Sequence, residues 1–388
     1  MNHPHSLYLV SLCVGRFGEA ADKWEDVPVV FYCEEGREED ARRGFGKTAS
    51  ALALFSKRFG VRYPYERYAQ VAVSEFPGGM ENTTCTTQTD ACLVSAEAAL
   101  DTDLDLLVSH ELAHQWFGDL LTCRDWSHAW LNEGFATYCE YVFTEHDKGR
   151  DEADREWELN KRAYFDEDAH RYRRPIVCST YAHPTVLFDR HLYEKGGWVL
   201  HMLRRELGEE AWWRAIQHYL RRFRDQSVET SDLIGAVEQA TGRNVRRFFD
   251  QWVYGTGYPS LETRSAWDAA AGRASLRVRQ TQADPFELPL TVRFTGKGGR
   301  WTREFTETVK EKDRTLSWRL PGAPALVEVD PAHVLLKKLE EHKPLACWRA
   351  QLESARSGQS RSQAARALAR WGDAAAVKAL EACARRDR

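Results

Sequence analysis

The sequence predicts an α+β chain in which a mainly helical domain is followed by a small β-sandwich and a short helical tail. Three observations carry that prediction. Helical periodicity dominates for about 150 residues from Asp101. Residues 260–335 then alternate apolar with polar, as in Ala274-Ser-Leu-Arg-Val-Arg and Leu290-Thr-Val-Arg-Phe. From Glu340 to the end the period is helical again.

The elements follow in order. Residues 6–14 and 27–33 read as strands by their β-branched and aromatic content. An acidic stretch then opens a helix over 41–59, with Phe45, Leu52 and Phe55 at helical spacing and Gly60 as its stop. A strand over 68–76 is closed by Pro77-Gly78-Gly79. The helical region ends in the turn-rich Tyr254-Gly255-Thr256-Gly257-Tyr258-Pro259, and in the tail Ala364, Leu368, Val377 and Leu380 are apolar around a Trp371-Gly372-Asp373 turn. The domains expected are 1–34, strands at the edge of the next domain; 35–257, the helical domain; 258–338, the sandwich; and 339–388, the tail.

Composition bounds the function. The 388 residues include 54 Lys and Arg against 58 Asp and Glu, a net charge of −4, so the chain lacks the basic surplus of a phosphate-tracking surface and nucleic acid is not expected as a partner. Beyond residue 341 ten basic residues face four acidic ones, a surplus read as the solvated face of paired helices, with a polyanion site as the alternative. The 43% hydrophobic and 29% charged content is that of a folded globular protein. No apolar run approaches the roughly 18 residues of a membrane-spanning helix. The first residues carry neither a basic start nor a small-residue cleavage site, so a strand is expected there rather than a signal peptide. Nine scattered cysteines without a Cys-x-x-Cys pair point to free thiols and a cytoplasmic location.

The chemistry-bearing pattern is His110-Glu111-Leu112-Ala113-His114 on a helix expected from Thr102 or Asp103 to about Phe117. Four residues make just over one turn, so both imidazoles leave the same face and can share one metal ion, with Glu111 near enough to act as a base. Zinc takes a third protein ligand in a catalytic site, and Glu133, separated from His114 by 18 residues, lies at the start of a next helix in Trp130-Leu131-Asn132-Glu133-Gly134-Phe135-Ala136. Thr137 and Glu140, one and two turns on from Glu133, share its face and are candidates to orient the histidines.

At these residues the sequence resembles the M1 family of zinc aminopeptidases, gluzincins of the aminopeptidase N and leukotriene A4 hydrolase type. The likeness includes Gly78-Gly79-Met80-Glu81-Asn82 ahead of the zinc motif, where the family has Gly-Ala-Met-Glu-Asn, and Tyr193-Glu194-Lys195-Gly196-Gly197 after it. Tyr63-Pro-Tyr65, His114-Gln-Trp-Phe-Gly118 and residues 251–259 are similar too, so that it spans residues 6–335. The resemblance implies a thermolysin-like zinc-peptidase domain, a HEAT-like tail and one Zn²⁺ per chain held by His110, His114 and Glu133. It implies Glu111 as general base, Tyr193 as oxyanion donor, and the segment from Gly78 to Asn82 as the substrate cradle. Glu81 in that segment would pair with the substrate's free α-amine. The partners implied are peptides with a free N-terminus; the oligomeric state is left open. Departures are Gly79 for Ala, read as small for small, Asp119 where Asn is common, and the near absence of the family's N-terminal β-domain, of which only the last strands would remain in residues 1–34. That last departure leaves two competing expectations open, an open-cleft zinc endopeptidase and a non-catalytic interaction scaffold.

Overall fold

The computed structural model describes residues 3–386, which fall into two compact units divided between Thr256 and Gly257. The first begins with a 3₁₀ turn at Leu7–Leu9 and continues through strands β1 (Phe17–Trp24) and β2 (Val27–Glu34), helices α1 (Glu38–Phe45) and α2 (Thr48–Phe59), and strands β3 (Tyr68–Val73), β4 (Gly79–Met80) and β5 (Cys85–Thr89). There follow α3 (Asp105–Ala113), β6 (Leu121–Cys123), α4 (Trp130–Asp147), α5 (Arg150–His170), α6 (Gly196–Leu207), α7 (Glu209–Arg222), β7 (Gln226–Val228), α8 (Thr230–Thr241) and α9 (Arg246–Trp252). The first five strands form one mixed sheet in the order β1-β2-β3-β5-β4, so the two-residue β4 is its edge.

Several expectations are corrected here. Residues 6–14 form no strand. Leu9 alone is buried among their apolar residues, and Leu7 and Leu12 are each 88% exposed, because β-branched and apolar content makes a strand only where a neighbouring edge completes its ladder. The partner of β2 is instead β1, whose alternation is masked by Glu19, Asp22 and Lys23. Through β2 this hairpin pairs parallel with β3 and belongs to the unit's main sheet. The single helix expected over 41–59 is two: Thr48 Oγ1 donates to the Phe45 carbonyl at 2.6 Å, giving that oxygen a partner outside the helical ladder. The zinc-motif helix is shorter than expected at both ends. Its N-cap is Leu104, with no side-chain cap, and it stops at Ala113, leaving His114 as the C-cap. The stretch between α3 and α4 is more than a turn, since β6 pairs parallel with β7 more than 100 residues on.

An aromatic core backs the helices. Phe55 and Phe59 stack on each other and meet Trp116 edge-on, and Phe117 stacks on Phe135 with centroids 4.1 Å apart. Among the described residues no helix is long and apolar enough to cross a membrane.

The second unit holds β8 (Ser260–Asp268), β9 (Arg273–Gln280), β10 (Leu288–Gly296), β11 (Thr302–Val309), β12 (Asp313–Arg319), β13 (Pro324–Val329) and β14 (Lys338–His342), in sheets ordered β12-β9-β8-β14 and β11-β10-β13. Burial alternates along β9 and β10, and Phe294 of one sheet packs on Trp318 of the other. Because β14 pairs parallel with β8, the sandwich runs to His342, past the expected end at 338. Helices α10 (Leu345–Ser354), α11 (Gly358–Trp371) and α12 (Ala374–Arg386) then share a core of Trp348, Leu352, Ala364, Leu368, Ala376 and Ala379. Val377, expected in that core, is largely exposed.

Candidate active site

The first unit contains a cleft of about 540 Å³ whose lining includes the substrate-cradle residues Gly78, Gly79, Met80 and Glu81, the zinc-motif residues His110, Glu111, His114 and Glu133, and Tyr193. Asn82 is not among the lining. Its side chain is spent on the scaffold, with Nδ2 donating to the Leu9 carbonyl at 3.1 Å and Oδ1 accepting from Thr87 Oγ1 at 2.7 Å.

Helices α3 and α4 bring three donors together. Glu133 Oε2 lies 3.2 Å from His110 Nε2 and 3.1 Å from His114 Nε2, and all three groups are buried. The far ring nitrogens are fixed: His110 Nδ1 bonds Glu140 Oε1 at 2.7 Å, and His114 Nδ1 bonds the Phe117 carbonyl at 2.8 Å. Such partners set the tautomer that points Nε2 at a metal. Of the two orienting candidates, Glu140 takes this role by position. Thr137 lies against Gly197, and a backbone carbonyl serves His114 in its place.

The donor set fits zinc. Bonds of about 2.0–2.2 Å in a tetrahedral site put ligand atoms a little over 3 Å apart, the spacing found here. Among the described residues the cleft lining carries no lysine or arginine to compete for the position. Without a cation the histidines carry charge against the acids. Burial opposes charge on His114, yet Glu133 and Glu81 raise its pKa to about 9; burial likewise opposes charge on Glu133, and the two histidines pull it down to about 2. A dication between these donors replaces the imidazolium protons, as metal ligation requires.

Glu111 lies beside this triad with Oε2 buried and without a hydrogen-bond partner, and burial, reinforced by Glu81 and Glu133, lifts its carboxyl to about 7. Its position depends on Gly79. A Cβ there would lie 2.3 Å from Glu111 Oε1, so replacement of Ala by Gly is not neutral in this chain: it makes the room that Glu111 occupies. Asp119 is also explained. Burial, with Glu81 adding, pushes its carboxyl well up, so that a neutral acid stands where the neutral amide of Asn is common.

Tyr193 sits in a π-helical turn, His191–Lys195, closed by the Lys195 amide donating to the Arg190 carbonyl at 3.0 Å. Such turns cluster at functional sites. The Tyr193 ring stacks 6.0 Å from His110, and burial followed by Glu133, Glu81 and Glu111 raises its pKa, keeping the phenol a donor. Asp189 caps the turn, its Oδ1 accepting from the His191 and Leu192 amides at 3.0 Å each.

That cap belongs to a second cluster of histidine and carboxylates. His191 Nδ1 is 3.4 Å from Asp189 and 3.6 Å from Glu167, and its Nε2 is 3.4 Å from Asp168, all buried. Each acid there also holds an arginine: Arg171 on Glu167 at 2.7 Å, Arg173 on Asp168 at 2.5 Å and Arg174 on Asp189 at 2.5 Å.

The motif reading missed three residues of the lining, Tyr8, Trp126 and Phe188. No motif marks them; all three are aromatic and come from irregular segments.

The sequence profile of the peptidase family M1 domain matches residues 43–252, more than half of the chain. The chain belongs to peptidase family M1. Among curated relatives, aminopeptidase M1 of Arabidopsis thaliana is 32% identical over 274 residues, covering 67% of this chain and 30% of the relative. Glutamyl aminopeptidase of Sus scrofa is 27% identical over 359 residues, covering 85% of this chain and 36% of the relative. The chain thus spans about a third of the length of these M1 relatives. A crystal structure of Legionella pneumophila aminopeptidase A in complex with aspartic acid aligns with a TM-score of 0.79 at 17% identity over 90% of this chain and 41% of that one, a likeness of fold.

Proposed function

We propose that this M1 chain is a zinc aminopeptidase that removes N-terminal residues from peptides. The observation that carries the reading is one cleft with a zinc-fitting triad, an unpartnered buried carboxylate beside it, and a second carboxylate, Glu81, within reach of the same donors. Zinc bound by His110, His114 and Glu133, one ion per chain, supplies Lewis-acid polarisation and a lowered water pKa. Glu111 takes the proton of the attacking water and later delivers it to the departing amine. The Tyr193 phenol donates to the oxyanion that develops on the scissile carbonyl. Glu81 pairs with the substrate's ammonium group, which selects a free N-terminus. The edge position of β4 supports an extended peptide lying alongside Gly79 and Met80 as an added strand.

The wider reading is a thermolysin-like domain in the first unit and a HEAT-like arrangement of α10, α11 and α12. All nine cysteines are free thiols, which supports a reducing, cytoplasmic setting. The test is hydrolysis of aminoacyl-anilides and of the same compounds N-acetylated, with and without chelator. Chelator-sensitive cleavage of the free-amine compounds alone is expected. Folded, zinc-loaded protein that cleaves neither overturns the proposal, and cleavage of blocked peptides favours the endopeptidase.

A further inference from the structure

Tyr8 enters the cleft from the 3₁₀ turn Leu7–Leu9, a segment with no secondary-structure partner. Two buried contacts nevertheless moor that turn: Leu9 is 2% exposed, and its carbonyl accepts from Asn82. The Tyr8 hydroxyl donates to Glu81 Oε1 at 3.2 Å and accepts from Asn132 Nδ2 at 3.1 Å. Asn132 is fixed in turn, since its Oδ1 accepts the Cys123 amide at 3.1 Å. The orientation of the phenol is therefore determined. Its proton points to Glu81, one lone pair is used by Asn132, and a phenol oxygen has a second lone pair. The Tyr8 ring meets Trp126 edge-on at 5.2 Å, Trp126 meets Phe188 at 5.8 Å, and Phe188 meets Tyr193 at 6.4 Å. An arc of four aromatic rings thus runs along the cleft from Glu81 to the zinc side.

We propose that Tyr8 is a specificity-determining residue that completes the ammonium pocket with Glu81 and closes the cleft against substrate extending past the first residue. An ammonium has three donors, and a carboxylate meets them from one direction. The free lone pair of Tyr8 Oη supplies a second acceptor next to that carboxylate, held in place by Asn132. The ring, braced on Trp126, occupies the space that an acyl group or a preceding residue on the amine would need. The proposal rests on the aminopeptidase reading for its substrate, but pocket and wall are properties of binding and can be read without turnover.

The experiment measures binding of an α-amino hydroxamate and its N-acetyl form to zinc-loaded protein by calorimetry, together with kcat/KM on free and acetylated aminoacyl-anilides. Wild type is expected to prefer the free amine. Tyr8→Phe should lower that preference about tenfold, the size of a lost hydrogen bond to a charged group, mainly through KM and with little change in thermal midpoint. Tyr8→Gly should bind the acetylated hydroxamate more tightly than wild type does, a gain that misfolding does not produce. Wild type that prefers the free-amine hydroxamate but turns nothing over sinks the aminopeptidase reading and leaves the Tyr8 assignment standing. A wild type without that preference, a Tyr8→Phe variant with the wild-type preference, or a Tyr8→Gly variant that still excludes the acetylated form overturns the assignment.

Discussion

His110 and His191 both lie buried among carboxylates, and both clusters bring donor atoms close enough together for a cation. Their surroundings differ in charge. Around His191 each acid is already matched by an arginine, so the cluster is neutralised from within and serves to cap and brace the turn bearing Tyr193. Around His110 the acids have only the two imidazoles for partners, and the far ring nitrogens are tied to Glu140 and a carbonyl. Convergence of donors is therefore not what separates a metal centre from a structural ion cluster. What separates them is whether positive side chains are present to do the cation's work.

That contrast can be broken most severely by removing a ligand. His114→Ala should take bound zinc from one per chain to near none and abolish aminoacyl-anilide hydrolysis, whereas His191→Asn should keep one zinc; metal analysis decides, and two zinc ions on the wild type would erase the distinction. Next in size is Glu111→Gln, expected to lower kcat by on the order of 10²–10⁴-fold with zinc content unchanged. Glu140→Gln should weaken zinc affinity by about 10–100-fold, read by competition with a chelating dye. The arginine-bound cluster is probed by acid. Burial works against charge on Asp189, but His191 and Arg174 hold its carboxyl at about 2, below the ordinary 3.8. A depressed pKa stabilises the fold above the ordinary value and loses that effect as pH falls toward the folded value. Urea unfolding should therefore lose about 2 kcal/mol from this group between roughly pH 4 and pH 2, and Asp189→Asn should lack that part of the slope. The smallest effect expected is for Gly79→Ala: Glu111 swings aside, kcat falls by up to about tenfold, and the thermal midpoint stays put.

The triad was legible because its geometry is local. His110 and His114 are one helical turn apart, and the face of α4 that carries Glu133 also carries Glu140 two turns on. Tyr8 was not legible: its bond to Glu81 joins residues 73 apart and depends on the path of a segment without regular structure. Apolar content around Val10 and Val14 suggested a strand, yet a strand needs an edge to pair with, and no single segment's composition reveals one. The split between α1 and α2 rests on one hydroxyl, that of Thr48, which in sequence reads as an ordinary helix residue. Gly79 was visible as a departure, but its meaning was not, since the atom it makes room for belongs to Glu111, 32 positions away.

The π-helical turn at His191–Lys195 has a consequence for how this enzyme can change. One extra residue in a helix is a phase shift of about 100°. Residues before and after the turn therefore answer to different constraints: α6 keeps Leu200, Leu203 and Leu207 facing the core whatever happens upstream. Deleting a single residue from the turn would restore ordinary winding, leave α6 in register and rotate Tyr193 off the cleft. A loss of function that mimics a point mutation at the tyrosine would then arise with Tyr193 itself intact, and reinserting one residue of any small type should reverse it.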